Sequence, residues 1–292
     1  MTVTRWALTP GYWRSPGLDP VAATAAGAGY APKPTAQNTG PAAGVTLTTH
    51  TGDYTLSSGS ISGLHITGNL ILAGSNVSAT DCQVDGAIFP NGGSSGHYPV
   101  LTNQTLTRVE ATECYSTGAS GLTFDACHFG GITSTFMQLT VYTYQGNVMT
   151  CSGVTIKNCL FDNLVKSTGI KHIEALHLMT VTDSLIQNNV FSLVAPADGY
   201  AATKSQITAA VTVENYQGNC DNITFDHNWL IGGGVYQIYW NPTNSTLTNN
   251  IFDTATDGQS LCPTDYNPAN SFTQSGNTNN GSAVTVNNGS LS

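Results

Sequence analysis

The chain has 292 residues and a formal net charge of −9, and only 9% of its residues are charged, whereas about a quarter are charged in typical soluble domains. Its eight Lys and Arg residues form no basic cluster, which argues against nucleic-acid binding because such binding neutralises backbone phosphates. No apolar run is long enough to span a membrane, and the N-terminus lacks the apolar core of a secretory signal. We therefore expect neither membrane insertion nor export by a signal peptide.

Composition divides the chain into three predicted regions. Residues 1–38 are rich in Ala, Gly and Pro and predict an extended N-terminal arm. Residues 39–262 carry short alternating stretches of Val, Ile, Thr, Tyr and Phe separated by Gly, which is typical of short strands and tight turns. Residues 263–292 are rich in Asn, Ser and Gly and predict a C-terminal cap or tail. Because no convincing amphipathic helix is present, the predicted fold class is all-β.

A nine-residue pattern recurs along the predicted strand region. Each copy alternates apolar and polar residues, places Cys or Asn at its seventh position and ends on an apolar residue. The copies are NVSATDCQV (76–84), GLTFDACHF (121–129), GVTIKNCLF (153–161), DSLIQNNVF (183–191), NITFDHNWL (222–230) and NSTLTNNIF (244–252). Their seventh positions lie 45, 32, 30, 39 and 22 residues apart. The longest interval predicts a further, weaker copy near Leu106–Ala111.

Strands this short cannot bury an apolar face alone, but stacking on identical neighbours produces a continuous core. Stacked rungs place each position of the pattern directly above the same position of the rung below. A column of Asn would then form a hydrogen-bonded ladder, and we expect it to adopt the left-handed conformation that a sharp turn needs. The repeat predicts a single-stranded parallel β-helix with loops around 86–99 and 195–206. An antiparallel sandwich is the alternative, disfavoured because regularly spaced hairpin turns are scarce.

The seven cysteines predict no metal or disulfide framework. They are odd in number and include no Cys-x-x-Cys pair, so neither a zinc site nor a complete disulfide set is indicated. We expect no cofactor and no bound metal.

The stretch HIEALH (172–177) is one candidate for acid–base chemistry. If the leucines of this strand point inward, His177 faces solvent and Glu174 faces inward by strand parity. Because a buried Glu without a basic partner is costly, we expect a turn near Ala175 that brings His172 and Glu174 to the surface. The three side chains could then act as acids and bases, or they could be solvated polar residues without a role.

Two further groups of candidates lie in the late part of the strand region. Asp226 and His227 precede the seventh-position Asn of their copy and are predicted to face outward, free for function or simply exposed. Tyr236, Tyr239 and Trp240 follow in GGGVYQIYW and could stack on sugar rings or pack beneath a loop.

Several scaffold motifs resemble those of a known family. The runs NTGPAAGVTLTTHTGDYTL (38–56), ISGLHITGNLILAGSNVSATDCQVDG (61–86) and HNWLIGGGVYQIYW (227–240) resemble the minor tail proteins of actinobacteriophages, of the mycobacteriophage type. Those proteins are pectate-lyase-like right-handed parallel β-helices, so the resemblance implies the same handedness. A mid-helix segment of the family, His-x-Asp-Gly-x-Gln, matches HIEALH (172–177) only with departures at three positions, so its polar site does not transfer directly.

The resemblance implies a structural minor tail protein at the tail tip or fibre that contributes to host-surface attachment. Such a protein is part of the virion, is made in the host cytoplasm and is released by lysis. Its implied partners are other phage tail proteins, further copies of itself in a homotrimer, and a host-envelope glycan. The alternative is a pectate-lyase-like glycan depolymerase, a hydrolase or lyase acting on envelope polysaccharide. The adjacent Asp-Asp, Gly-His-Gly and Arg-x-Lys motifs of pectin hydrolases do not occur in the sequence.

Overall fold

The structure, a computed structural model, describes residues 30–90, 101–131, 135–140, 142–144, 147–163, 173–193, 207–232, 236–253, 272–287 and 290–291. The chain divides into two compact units, Met1–Pro32 and Lys33–Ser292, and all strands below belong to the second. The described residues contain no α-helix and therefore no helix that is long and apolar enough to cross a membrane.

Short strands follow one another along the second unit. In chain order they are β1 (Thr48–His50), β2 (Tyr54–Leu56), β3 (Ser60–Ser62), β4 (Leu64–Ile66), β5 (Leu70–Leu72), β6 (Ser78–Val84), β7 (Ala87–Phe89), β8 (Thr105–Ala111), β9 (Glu113–Thr117), β10 (Thr123–Asp125), β11 (His128–Gly130), β12 (Met137–Thr140), β13 (Tyr142–Tyr144), β14 (Asn147–Met149), β15 (Cys151–Ser152), β16 (Thr155–Lys157), β17 (Leu160–Asp162), β18 (Ile173–Met179), β19 (Val181–Gln187), β20 (Val190–Leu193), β21 (Ile207–Glu214), β22 (Asp221–Asp226), β23 (Trp229–Gly232), β24 (Tyr236–Trp240), β25 (Ser245–Thr248), β26 (Ile251–Asp253), β27 (Phe272–Ser275), β28 (Thr278–Asn279), β29 (Ser282–Ala283), β30 (Val286–Asn287) and β31 (Ser290–Leu291).

The chain winds alternately through two long sheets. Sheet B contains β2, β5, β7, β9, β12, β18, β21 and β24. Sheet A contains most of the other strands, and β13–β14 and β30–β31 form separate two-stranded pairs. Equivalent positions of successive copies are paired in parallel: Phe124 with Ile156, and Ile156 with Ile186. This register confirms the prediction of an all-β parallel β-helix and excludes the antiparallel sandwich.

The core is built from the apolar positions of the repeat. In the copy 121–129, Leu122 and Phe124 are fully buried, because alternate residues of a strand point to the same side. Phe129, on the next strand after the left-handed bend at Ala126, is also fully buried. Phe129, Phe161 and Phe191 occupy the last position of three successive copies, and their rings stack with centroids 5.1 and 5.0 Å apart. Burial of each such side chain stabilises the fold by about 2–3 kcal/mol, so the column of stacked rings helps to hold successive rungs together.

A ladder of asparagine side chains runs through the interior at the seventh position of the pattern. Asn189, Asn228, Asn250 and Asn277 are all buried. The Asn228 side-chain oxygen accepts hydrogen bonds from the backbone N–H and the side-chain amide of Asn189, both at 3.0 Å. Its own amide donates to the Ile186 carbonyl at 3.0 Å and to the Asn250 oxygen at 3.2 Å. The predicted ladder is confirmed.

The left-handed turn residue lies one position before the ladder. His227, for example, has a φ of 54°, whereas Asn228 points its amide into the interior. The expectation that the ladder Asn itself adopts this conformation is wrong, because the bend must come first for the next side chain to turn inward. The first and sixth positions of all six copies have positive φ: Asn76, Gly121, Gly153, Asp183, Asn222 and Asn244 at the first, and Asp81, Ala126, Asn158, Asn188, His227 and Asn249 at the sixth.

The weak copy predicted near Leu106–Ala111 is confirmed. Strand β8 pairs in parallel with β6, and Val109 lies opposite Cys82 in the seventh-position column. Arg108, one position earlier, has the left-handed φ of 51° that the other copies show. Its side chain donates two hydrogen bonds to Asp81, at 2.6 and 2.7 Å.

Six cysteines lie in the described part of the chain, and all are buried free thiols. Cys82, Cys127 and Cys159 occupy the ladder column in the early copies, and the Cys159 backbone N–H donates to the Asn189 oxygen at 2.9 Å. Burial raises the pKa of Cys151 to about 11, so it is a neutral thiol at physiological pH. The cysteines act as small core residues.

Two predicted boundaries differ from the structure. Ala87–Phe89 forms strand β7, so the loop expected over 86–99 does not begin there; residues 91–99 and all of 195–206 lie outside the described residues. Strands β27 and β28, expected in the C-terminal cap or tail, pair in parallel with β25 and β26. They add another rung because Asn277 continues the ladder below Asn250.

Residues 33–44, which contain turns at 36–38 and 43–44, lie along the outer face of sheet A; we call this segment the strap. The Gly40 N–H donates to the Ala126 carbonyl at 2.9 Å, and the Ala42 N–H donates to the Asp81 carboxylate at 2.9 Å. At its other end the Lys33 ammonium lies 5.4 Å from the centre of the Trp229 ring. The strap therefore touches rungs that do not touch one another.

Candidate functional site

The outer face of sheet B brings together outward-pointing side chains from successive rungs. In β21, Val211 and Val213 are fully buried, so Thr212 between them points outward. Parallel register then places five residues side by side, one per rung: Tyr115, Gln138, His177, Thr212 and Tyr239. We call this set the sheet B column. The column includes two of the predicted site residues, His177 and Tyr239.

His177 is held at the centre of the column by a carboxylate from the next rung. Its Nε2 lies 2.9 Å from Glu214 Oε1, and the two side chains are 16% and 32% exposed. Glu214 pairs in register with Met179, whose sulfur accepts a hydrogen bond from the Gln138 amide at 3.4 Å. The predicted outward orientation of His177 is confirmed, and its ring is held in place rather than freely solvated.

Glu174 lies below the surface. It is 2% exposed, and its carboxylate accepts a hydrogen bond from the Thr135 hydroxyl at 2.7 Å. The turn expected near Ala175 is wrong, because β18 is continuous from Ile173 to Met179 and has only a register irregularity between Ile173 and Glu174. Glu174 therefore does not join His177 on the outer face. His172 lies outside the described residues.

Asp226 is part of the scaffold. It is 6% exposed, and its carboxylate accepts hydrogen bonds from Gln187 at 3.0 Å, Thr248 at 2.8 Å and Asn249 at 2.9 Å. These donors come from the rungs on either side, so the carboxylate ties three rungs together. The expectation that Asp226 is free for function is wrong, because every rung places a polar residue at this position.

His227 occupies the left-handed turn position beside Asp226. Its ring packs edge-on against Trp229 with centroids 4.9 Å apart. Burial lowers the pKa of His227, and the negative charge of Asp226 opposes this only in part. His227 is therefore neutral at physiological pH. It lies at the left-handed bend that every copy of the repeat makes at its sixth position.

The three predicted stacking residues separate into two groups. Tyr236 and Tyr239 are half-buried, and their rings meet edge to face with centroids 5.8 Å apart. Trp240 is fully buried and packs edge-on against Phe225 at 5.7 Å. An indole in the core cannot present a face to a sugar, so the structure excludes Trp240 from the stacking surface and keeps the two tyrosines.

Sequence reasoning missed Thr212, Gln237 and Glu214. The Thr212 hydroxyl oxygen and the Gln237 side-chain oxygen are buried without a hydrogen-bond partner, although the Gln237 amide donates to the Asp253 carbonyl at 3.3 Å. The alternation in AAVTVE (209–214) indicates that Thr212 points outward. Its neighbours, however, come from strands more than twenty residues away, so no local pattern could show that it is unpaired.

Other candidate sites are less suitable in the described residues. A pocket of about 320 Å³ at the C-terminal end of the β-helix is lined by Gln274, Ser275, Gly276, Asn277, Thr278, Ala283, Val284 and Thr285. None of these side chains is ionisable, so the pocket offers no acid or base. Across the same described ranges, no three His, Cys, Asp or Glu side chains are grouped closely enough to hold a metal ion.

Comparisons with known proteins show similarity of fold at most. No protein-family model matches the chain, and no curated protein matches it. Among solved structures, QnrB1, a plasmid-mediated fluoroquinolone resistance protein, is 7% identical with a TM-score of 0.30; the match covers 81% of this chain and 92% of QnrB1. The Dettilon tailspike protein gp208 is 14% identical with a TM-score of 0.23; the match covers 70% of this chain and 48% of the tailspike. These values assign the chain to neither protein's family, and the β-helix assignment rests on the strand register.

Proposed function

We propose that this protein is a structural minor tail protein of a bacteriophage, located in the virion at the tail tip or fibre, and that it contributes to host-surface attachment through the sheet B column. The observation that carries the proposal is the column itself, an aligned row of polar and aromatic side chains on a rigid parallel sheet. The resemblance of the scaffold motifs to phage minor tail proteins supports the same role.

The geometry suits attachment because the strands that carry the column are held in register by the sheet. Each rung fixes its neighbour through parallel hydrogen bonds, so a ligand meets a surface that loses little conformational freedom on binding. His177 is held by Glu214, and Tyr239 lies beside Tyr236. Polar and aromatic groups presented together on an ordered sheet are typical of surfaces that bind sugars.

The alternative function is a glycan depolymerase. Glycoside hydrolysis commonly uses two carboxylates on opposite sides of the scissile bond. The two carboxylates proposed for this chemistry, Glu174 and Asp226, are buried and hydrogen-bonded to the scaffold, so they do not form an exposed pair. The structural role is therefore the better supported of the two.

Two experiments test the proposal: detection of the protein in purified virions, and an assay for cleavage of host-envelope polysaccharide. Mass spectrometry of purified virions should detect the protein, and an antibody against it should reduce adsorption of the phage to host cells. Its absence from virions would contradict the tail assignment. Incubation of the purified protein with host-envelope polysaccharide should release no reducing ends or unsaturated products; turnover that is lost in Glu174→Gln would establish the depolymerase instead.

The proposed partners are other tail proteins, copies of the same chain in a homotrimer, and a host-envelope glycan. Light scattering during size-exclusion chromatography tests the homotrimer, because a trimer has three times the mass of the 30.5 kDa chain. A monomeric mass at micromolar concentration would contradict the homotrimer without affecting the proposed location.

A further inference from the structure

The hydroxyl of Thr212 is an unpaired polar group in the middle of the sheet B column. Thr212 is 4% exposed, and its oxygen has no hydrogen-bond partner. A buried hydroxyl without a partner destabilises a fold, whereas Val has almost the same shape and avoids that cost. Stability therefore does not explain why this position carries Thr.

The surroundings of Thr212 indicate what could satisfy it. Parallel register places His177 on one side and Tyr239 on the other. Gln237 lies two residues before Tyr239 on β24 and so faces the same side, and its side-chain oxygen is also buried without a partner. The site thus combines an aromatic ring, an imidazole and two oxygens that lack a donor.

This combination matches a sugar ring. A pyranose presents an apolar face of C–H groups, which packs on an aromatic ring, and hydroxyls at its edge that donate to nearby oxygens. Thr212 and Gln237 would each accept a hydrogen bond from such a hydroxyl, and Tyr239 would receive the apolar face.

The charges of the face indicate a neutral sugar. The described strands of sheet B contain no Lys or Arg, while Glu113 and Glu214 lie on β9 and β21. An anionic polysaccharide would meet like charge without a cation to pair with it, in a chain whose net charge is −9. A neutral, hydroxyl-rich glycan avoids this repulsion.

We infer that Thr212, with Gln237 and Tyr239, forms a subsite for a single ring of a neutral glycan, the ring stacking on Tyr239 and its hydroxyls donating to the two oxygens. This inference rests on the proposed attachment function and names its ligand class and subsite. Because the Thr212 oxygen is out of reach of solvent, a neighbouring side chain must move before a sugar hydroxyl can reach it, and we expect the half-buried Tyr239 ring to be the one that moves.

The test is a Thr212→Val variant of the full chain, with Thr246→Val as the matched control. Thr246 is a half-exposed strand residue of β25 in sheet A, so the control removes a hydroxyl elsewhere. Binding is measured by calorimetry with neutral probes, the hexasaccharides of glucose, mannose, galactose and arabinose, and with hexagalacturonate as the acidic probe. Near-ultraviolet circular dichroism reports the movement of the Tyr239 ring.

We expect wild-type protein and Thr246→Val to bind at least one neutral probe and not the acidic probe. Thr212→Val should bind that probe about tenfold more weakly, the usual effect of one lost hydrogen bond in a site, and should melt at the same or a higher temperature. Tyr239→Ala should weaken binding further and remove the change in circular dichroism.

Equal affinity of wild type and Thr212→Val would overturn the subsite, as would a preference for hexagalacturonate. If no neutral probe binds while the antibody against the protein still blocks adsorption, the subsite fails and the attachment function stands. If the protein is absent from virions but Thr212→Val still loses affinity for a neutral probe, the subsite stands and the tail location fails.

Discussion

Asn228 shows how one side chain can hold three rungs. Its oxygen accepts two hydrogen bonds from Asn189, and its amide donates to Ile186 and Asn250. An aliphatic side chain of similar size would fill the same volume but leave the Asn189 N–H groups unpaired in the interior. Asn is needed at this position because its amide pairs with the buried polar groups around it. The turn does not require it, since Asn228 does not have a positive φ.

We expect Asn228→Leu to lower the free energy of unfolding by about 2–4 kcal/mol, because at least two buried donors lose their acceptor. Urea denaturation followed by circular dichroism measures this change. The control is Gln83→Leu, an outward position of β6 that is half-buried and should change stability by less than about 0.5 kcal/mol. Equal effects of the two substitutions would show that the ladder adds little.

Ala126 occupies the left-handed turn position with a φ of 54°. An L-residue with a Cβ pays about 1–2 kcal/mol in this conformation, and Gly does not. We therefore expect Ala126→Gly to raise the free energy of unfolding by about 0.5–1 kcal/mol, although Gly generally destabilises. Thermal melting measures the effect.

The matched control for this substitution is Ala73→Gly, since Ala73 does not have a positive φ. Here the added freedom of the unfolded chain should dominate, and stability should fall by about 0.5–1 kcal/mol. A decrease in both variants would mean that the bend at residue 126 carries no strain.

At the scale of the strands, the short pieces of sheet A are joined by side chains on its outer face. His128 on β11 lies 2.8 Å from Asp162 on β17 and is only 8% exposed. Burial acts to lower the pKa of His128, but the hydrogen bond to Asp162 and the charges of Asp162 and Glu110 outweigh it and raise the pKa. The strap covers this pair, since Gly40 lies against His128 and Glu110.

This pair predicts a pH dependence of stability. Because the pKa of His128 is raised in the folded state, protonated His128 contributes its full stabilisation below its unfolded pKa of about 6.5. That contribution is lost as the pH rises through the folded-state pKa. We expect the free energy of unfolding to fall above about pH 6.5 in the wild type and to fall less in Asp162→Asn.

Urea denaturation across this pH range tests the prediction. The matched control is Asp85→Asn, which removes the partner of His65 in a pair with the same 2.8 Å separation but with side chains 29% and 32% exposed. An exposed pair contributes little, so the control should follow the wild-type curve. An Asp162→Asn curve that also follows it would contradict the assigned role.

At the scale of the whole molecule, the strap changes how the solenoid holds together. In a solenoid each rung contacts only its neighbours, so stability is a sum of local terms and one end can open without the other. The strap binds Asp81 near the start of the helix, Ala126 in the middle and Trp229 near the end. It therefore couples rungs that the sheets do not connect directly.

We expect deletion of residues 1–44 to make unfolding less cooperative. Circular dichroism and Trp fluorescence should give coincident urea transitions for the full chain and separated transitions for the truncated chain. Hydrogen exchange should be faster at the rungs of Asp81 and Trp229 than in the full chain. Coincident transitions after truncation would show that the strap follows the helix without coupling its rungs.

Local features of the sequence determined the fold. Alternation of apolar and polar residues specified which side chains form the core, as at Phe124 and Phe129, and the spacing of the copies specified parallel stacking. The ladder at Asn228 was predictable for the same reason, since a repeated residue in a stacked column meets copies of itself. Even the weak copy near Leu106–Ala111 followed from the interval between its neighbours.

The tertiary structure alone decided which polar residues are available for function. Asp226 and His227 look like a catalytic pair in sequence. In the structure, however, Gln187, Thr248 and Asn249 from neighbouring rungs donate hydrogen bonds to the Asp226 carboxylate. Thr212 looks ordinary, yet its rung neighbours leave its hydroxyl unpaired. Hydrogen-bond partners in a parallel β-helix come from segments tens of residues away, at distances set by variable insertions, so no local pattern records whether a side chain is satisfied.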